Sequence, residues 1–260
     1  MRQGFLVVFS IFICQLFAML IGNPAQPALQ KEGIWSSKSN CSLRLAFLED
    51  YVYCQRFKDE FLDAELSHSK TYSKLNTNAA LVTLNFRNWI DLYAILGSAQ
   101  IQLDREVFTQ RQFAWGTGLK VSLYHQKKFR IGADLKYFET DQKPLYFISE
   151  GLPFNVRSHF TLQYHEIQAA LGMSYRTGPL IPYVYATYLF SQIEPHPPAV
   201  TVLIPTMNLE ADMYMKSVIN QRRLGMCVGA TLLDCRKATF TVESRFFNQN
   251  SIDVNFEIRF

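Results

Sequence analysis

Residues 252–260, IDVNFEIRF, alternate without a fault. Ile252, Val254, Phe256, Ile258 and Phe260 share one face, and Asp253, Asn255, Glu257 and Arg259 share the other. A side-chain period of two predicts a strand, here with an apolar face and a charged face, ending on an aromatic. The same pattern recurs. Phe129, Ile131, Ala133, Leu135 and Tyr137 oppose Arg130, Gly132, Asp134 and Lys136; Ala238, Phe240, Val242 and Phe246 oppose Lys237, Thr239, Thr241, Glu243 and Arg245. Along 224–232 and 113–123 the faces opposite the apolar residues carry Gly225, Cys227 and Gly229, and Gly116, Gly118 and Lys120.

Strand-like segments are predicted at 42–54, 56–66, 77–88, 90–102, 111–124, 128–140, 159–175, 181–194, 212–221, 223–233, 236–247 and 251–260. Most are longer than the average soluble strand of about five to six residues and match membrane-crossing strands of about nine to eleven. Short connections (126–128, 234–236) contrast with long polar or Pro-rich ones (67–76, 141–158, 195–211), giving one short rim and one long rim. The expected fold is therefore all-β, a transmembrane antiparallel β-barrel of the outer-membrane type with about 12 strands, range 10–14. Apolar pieces at 145–148 and 200–204 would supply the upper end of that range. A lipocalin-like barrel would use the same alternation inside out. Strand length argues for lipid outside, as do aromatics near strand ends: Tyr51 and Tyr53, Trp89, Tyr137 and Phe138, Tyr164, Tyr183 and Tyr185, and Phe246 and Phe247. One segment breaks phase. Phe160, Leu162 and Tyr164 share one parity and Ile167, Ala169, Leu171 and Met173 the other, so a β-bulge is expected at His165-Glu166.

Arg2 followed by the apolar run 5–21 reads as an export signal over 1–18, with the cut falling as late as 22, and the run is marginal for a spanning helix. Residues 19–41 then form an N-terminal periplasmic segment and 42–260 the barrel. The hydrophobic fraction, 48%, is that of a soluble protein, which alternation also gives, so composition alone does not find this class. Net charge is +4 without a basic block, so no nucleic-acid partner is indicated. Beyond the signal stand Cys41, Cys54, Cys227 and Cys235, an even set that permits disulfides in an exported chain. Cys41 and Cys54 are too far apart along one extended strand to join, about 40 Å against a limit of roughly 7 Å.

Several segments together resemble the chlamydial major outer membrane protein family. They are GNPAQPAL (22–29) with EGIW (32–35), SLRLAFLEDYVY (42–53), TNAALVTLNFRNWIDLYAILGSA (77–99), YHEIQAALGMSYR (164–176) with IPYVYA (181–186), and CVGATLLDCRKATFTVESRF (227–246) with NFEIRF (255–260). The resemblance implies a porin for small hydrophilic solutes that also braces the envelope through cysteine cross-links. The chain is shorter than typical members and has few of their cysteines, which weakens the implied homo-trimer.

Parity assigns the lumen-facing charges: Arg44, Arg87, Lys120, Arg130, Lys136, Lys237, Arg245 and Arg259, with Asp50, Asp134, Glu243, Asp253 and Glu257. Mixed signs predict a general or weakly selective channel with a slight anion preference, or else cross-strand pairs that brace the wall. The alternative function is a structural or adhesive barrel with an occluded pore. No cofactor or metal site is expected, since the cysteines lack zinc-ligand spacing. An enzyme is not expected either: His165 and Glu166 are strand neighbours pointing to opposite faces. The expected partners are outer-membrane lipid, barrel-assembly machinery recognising the C-terminal strand through Phe260, and disulfide-linked envelope proteins.

Overall fold

The computed structural model describes residues 22–24, 26–28, 41–59, 71–103, 107–149, 152–156, 160–204, 209–214, 216–234 and 238–260. The predicted signal over 1–18 and the position of Cys235 lie outside these residues. After a 3-10 turn at Gln26–Ala28 the elements are all strands: β1 Cys41–Asp59, β2 Thr71–Phe86, β3 Ile90–Leu103, β4 Val107–Gln110, β5 Gln112–Gln126, β6 Phe129–Ser149, β7 Leu152–Val156, β8 Thr161–Tyr175, β9 Leu180–His196, β10 Ala199–Ile204, β11 Leu209–Tyr214, β12 Val218–Asn220, β13 Leu224–Asp234, β14 Ala238–Phe246 and β15 Gln249–Arg259.

Antiparallel pairing runs β1–β2–β3–β5–β6–β8–β9–β13–β14–β15 and returns to β1, so the sheet closes on itself. β4 continues the course of β5 between β3 and β6, and β12 continues that of β13 beside β9. Ten strand courses make the ring, at the low end of the expected range. The segments expected separately at 42–54 and 56–66 join in β1, where a register shift between Val52 and Gln55 turns Gln55 and Phe57 inward. The backbone N–H of Phe260 donates to the Leu43 carbonyl at 2.9 Å and extends the closing seam to the last residue.

Tight turns join the strands at the rim where β1 begins and β15 ends. Arg87, Asn88 and Lys127 take positive φ there, as short reversals require. That rim is the periplasmic one, because outer-membrane barrels keep their short turns inside and their long loops outside. On the opposite side the barrel changes width. The β14–β15 hairpin turns early, at Phe247, and beyond it β12 pairs directly with β1 (Phe57 opposite Asn220) and with β9 (Val218 opposite Ile193). Asn220 stitches this seam: its amide donates to the carbonyls of Leu189 at 2.8 Å and Arg222 at 2.9 Å and accepts from the Ser191 N–H at 3.1 Å. Ten strands thus narrow to eight. Beyond the ring, β7, β10 and β11 extend β6 as a further sheet, which accounts for the apolar pieces at 145–148 and 200–204.

The phase break in β8 has a different cause from the expected bulge. Register with β6 and β9 is unbroken through His165 and Glu166, and one parity faces inward throughout. What inverts is the surroundings. In the periplasmic half, Glu166 and Gln168 face inward and Ile167, Leu171 and Met173 face outward. In the outer half, Leu162 and Tyr164 are buried inside while Gln163 and His165 face outward. Neighbouring strands repeat the switch. On β3 the outward series Ile90, Leu92, Ala94 and Leu96 gives way to Ser98, Gln100 and Gln102; on β6, Leu135 and Tyr137 give way to Glu139 and Asp141. The barrel therefore crosses lipid with its periplasmic half and stands in water with the rest.

This boundary generates a depth-dependent prediction. Leu171→Arg, on the lipid face, should destabilise the barrel by about 2–4 kcal/mol, whereas Gln163→Arg, on the same face of the same strand but above the band, should change stability by roughly 0–1 kcal/mol. Equilibrium denaturation in lipid vesicles measures both, and equal costs would contradict the boundary.

Candidate functional site: the barrel interior

Three layers fill the inside. In the middle layer charges meet in pairs. Arg245, with no accessible surface, donates to Asp253 at 3.0 Å and lies 3.7 Å from both Asp50 and Glu243. Lys136 meets Glu166 at 2.9 Å and Lys120 meets Asp134 at 3.6 Å. Nearer the periplasm Arg44 bridges Asp91 and Glu257. Tyrosine hydroxyls satisfy further carboxylate lone pairs: Tyr93 donates to Asp134 at 2.7 Å, Tyr164 to Glu166 at 2.6 Å and Tyr183 to Glu243 at 2.9 Å. Such pairing offsets the cost of removing these charges from water, a cost that an unpaired buried charge carries in full.

The tyrosines need room, and small residues across the ladder provide it. Tyr93 lies opposite Gly118 and Tyr183 opposite Gly229, with each ring folded over the glycine where a Cβ would collide with it. Tyr164, Tyr183, Tyr185 and Phe138 are thus buried inside the barrel and do not form the interfacial girdle expected of them. Trp89, Trp115, Tyr137 and Phe247 do face outward near the two edges of the apolar band.

The second layer, at the periplasmic end, is the chain's own N-terminal segment. Of the segment 19–41 expected in the periplasm, residues 22–24 and 26–28 instead enter the lumen. The Gly22 N–H donates to Glu243 at 3.0 Å, Asn23 to Thr231 at 3.1 Å and Gln26 to Glu257 at 2.9 Å; the Gly22 carbonyl accepts from Tyr185, and the Pro27 carbonyl accepts from Asn85 at 3.0 Å. Gly132 leaves the space for Pro24, whose carbonyl oxygen would stand 2.5 Å from any added Cβ. Between this segment and the ion pairs is a cavity of about 20 Å³ bordered by Arg44, Asp91, Tyr93 and Lys120, with room for about one water.

The third layer is apolar. Val52, Phe57, Leu75, Ile101, Leu103, Phe138, Phe160, Leu162, Tyr164 and Ile193 form one buried cluster across the outer half. They are wall residues, contributed by β1, β2, β3, β6, β8 and β9 and by the residue preceding β8.

Of the charges assigned to the lumen by parity, Arg44, Asp50, Lys120, Arg130, Asp134, Lys136, Glu243, Arg245, Asp253, Glu257 and Arg259 are buried on the inner face. Arg87 is not among them: it is exposed in the β2–β3 turn at φ 49°, because the strand ends at Phe86 and parity stops there. Lys237 lies outside the described residues. Asp91 and Glu166 were missed, although Asp91 shares the parity of Tyr93 and Ile95, and Glu166 was obscured by the expected bulge. With them, the described inner face carries six cations and seven carboxylates, which removes the basis for an anion preference. His165 faces outward, 3.1 Å from Gln192, while Glu166 faces inward on Lys136, so the two do not share a site. Cys41 is exposed at the periplasmic start of β1, Cys54 is half-buried and Cys227 is buried inside.

A closed ring with a lipid-facing apolar band and a charged interior defines an outer-membrane β-barrel. No protein-family model matches the chain. It is 22% identical to the major outer membrane porin, serovar F, of Chlamydia trachomatis, an alignment covering 94% of this chain and 95% of that one, and 22% identical with the same coverage to the major outer membrane porin of Chlamydia psittaci. The chain is a distant relative of the chlamydial major outer membrane porins. Among solved structures it is similar to the Escherichia coli outer membrane protease OmpT (12% identity, 84% of this chain and 93% of that one, TM-score 0.38) and to Ail of Yersinia pestis (8% identity, 85% and 97%, TM-score 0.33).

Two outcomes follow from the interior. Arg245→Gln leaves three buried carboxylates without their shared cation and should cost about 3–5 kcal/mol in equilibrium unfolding. A membrane-impermeant maleimide should label Cys41 and Cys54 in the folded barrel and reach Cys227 only after denaturation; rapid labelling of a Cys14→Ser, Cys41→Ser, Cys54→Ser, Cys235→Ser variant in the folded state would place Cys227 elsewhere.

Proposed function

We propose that this chain is a porin-related outer-membrane barrel with a closed lumen, serving as a structural and surface-exposed component of the envelope and not as a general diffusion pore. The apolar layer carries this reading. Side chains anchored in the wall itself fill the outer half, so a solute path there requires the wall to repack, at a cost of several kilocalories per mole for each large core side chain displaced. Paired charges beneath it brace the wall, which is the second of the two roles parity left open.

A gated channel is the other reading. It is favoured by the names of the relatives and by the periplasmic layer, whose N-terminal segment is held largely by hydrogen bonds that water can replace. Envelope cross-links, or links between copies in a trimer, would use Cys41 or Cys54, which reach the surface, and not Cys227. We assign recognition by the barrel-assembly machinery to β15 and its terminal Phe260. The separation of His165 and Glu166 onto opposite faces supports a non-enzymatic role.

Planar-bilayer recordings and liposome swelling test the proposal. The wild-type barrel is expected to give no steady ion conductance and no uptake of even small sugars. Sustained single-channel steps or size-dependent sugar uptake by the wild type would overturn the closed reading in favour of the channel.

A further inference from the structure

Where the β14–β15 hairpin turns early, it leaves a notch in the outer wall at the level where the lipid-facing band ends. The notch is a pocket of about 280 Å³ whose border includes Arg56, Arg222, Phe247, Gln249 and Asn250. Among the described residues, no acidic side chain lines it. Arg222 is exposed, Arg56 is half-buried on the outer face of β1 with its guanidinium 5.8 Å from the Tyr72 ring centre, and Asn250 is half-buried on the outer face of β15. Phe247 and Met226 also border a second hollow, which runs down the outside of the barrel for about 710 Å³ along Leu171, Met173, Val184 and Ala186. These residues form a diagonal row fixed by register: Met173 lies opposite Val184, Leu171 opposite Ala186, and Ala186 opposite Met226. Small side chains such as Ala186 sink the row between its larger neighbours. Just above, Arg223 lies over the Phe190 ring at 5.5 Å and donates to the Tyr188 hydroxyl at 3.1 Å, an amphipathic edge of the kind found at a headgroup boundary.

A cationic, acid-free pocket joined to an apolar furrow facing lipid is complementary to one chemistry, an anionic headgroup carrying acyl chains. We propose that notch and furrow together form a site for an outer-leaflet lipid with a phosphorylated headgroup. Arg56 and Arg222 hold the phosphate, the outward-facing Asn250 amide donates to its oxygens or to the adjoining ester, and one acyl chain lies along the β8–β9–β13 wall. Arginine suits this role because its planar fork donates two hydrogen bonds to phosphate at once. The site does not depend on whether the lumen conducts.

Native mass spectrometry of the full chain, refolded in detergent, tests this with three probes: dioleoyl phosphatidic acid, dioleoylglycerol, and inorganic phosphate. One phosphatidic acid is expected to bind about tenfold or more tightly than dioleoylglycerol, the discrimination of a charge-assisted contact. Arg56→Ala with Arg222→Ala should reduce phosphatidic acid to the dioleoylglycerol level, while the paired lysine variant retains most of the difference. Ala186→Trp, which fills the furrow, should weaken both lipids. Heat-dependent gel mobility confirms that each variant is folded, and any that is not is replaced by the lysine or a leucine version. Equal binding of the two lipids, wild-type binding by the alanine pair, or no effect of Ala186→Trp would overturn the site. Displacement of phosphatidic acid by inorganic phosphate at matching affinity would overturn the lipid and leave a plain anion site.

Discussion

Everything in this barrel depends on the seam between β1 and β15. Backbone N–H and C=O groups in hydrocarbon have no water to satisfy them, so a sheet in lipid is stable only when its edges meet. Here the first and last strands pair from Arg44 with Arg259 to Gln55 with Gln249, and the final residue adds one more bond to Leu43. Closing the ring at ten strands fixes its width, and the width fixes how much side chain the inside must hold. A ring this narrow can be filled by its own residues.

The filling solves two problems at once. In the lipid-embedded half most outward positions are committed to apolar residues, so polar ones accumulate inside, where they must find partners. Arg245 meets three carboxylates, Arg44 two, and the tyrosines satisfy oxygen lone pairs that remain. In the water-exposed half the commitment reverses. Polar side chains face out, and the inside becomes an ordinary hydrophobic core around Phe57, Phe138 and Phe160. On β8 one backbone ladder runs through both environments without a change of register.

That reversal explains what could be read from the chain and what could not. Alternation located the lipid-crossing strands and assigned the inward charges of β14 and β15, where a single environment holds from end to end. It misread 160–168, because a parity switch in hydrophobicity looks the same whether the backbone bulges or the surroundings invert, and only the pairing of β8 with β6 and β9 separates the two. Arg87 was misplaced for a local reason, since parity has no meaning once the chain enters a turn. The interior tyrosines carried no distinguishing mark either: Tyr183 is recognisable as an inward residue only when it is known to stand opposite Gly229. The lodging of residues 22–24 and 26–28 inside the lumen depends on contacts with residues more than 150 positions away, which no local pattern reports.

Narrowing of the outer half and filling of its interior are connected in this architecture. A wide pore needs many strands, and strands that rise above the membrane only to carry loops can keep their inner faces polar and wet. When the outer half narrows to eight strands, as it does above the β14–β15 turn, inward side chains from opposite walls come within reach and bury one another. Apolar residues then gain more from meeting than polar ones lose by leaving water, and the narrowed half becomes its own core. The short hairpin that causes the narrowing also opens the notch on the outer wall, so the same change that narrows the inside creates a surface feature at the upper edge of the apolar band.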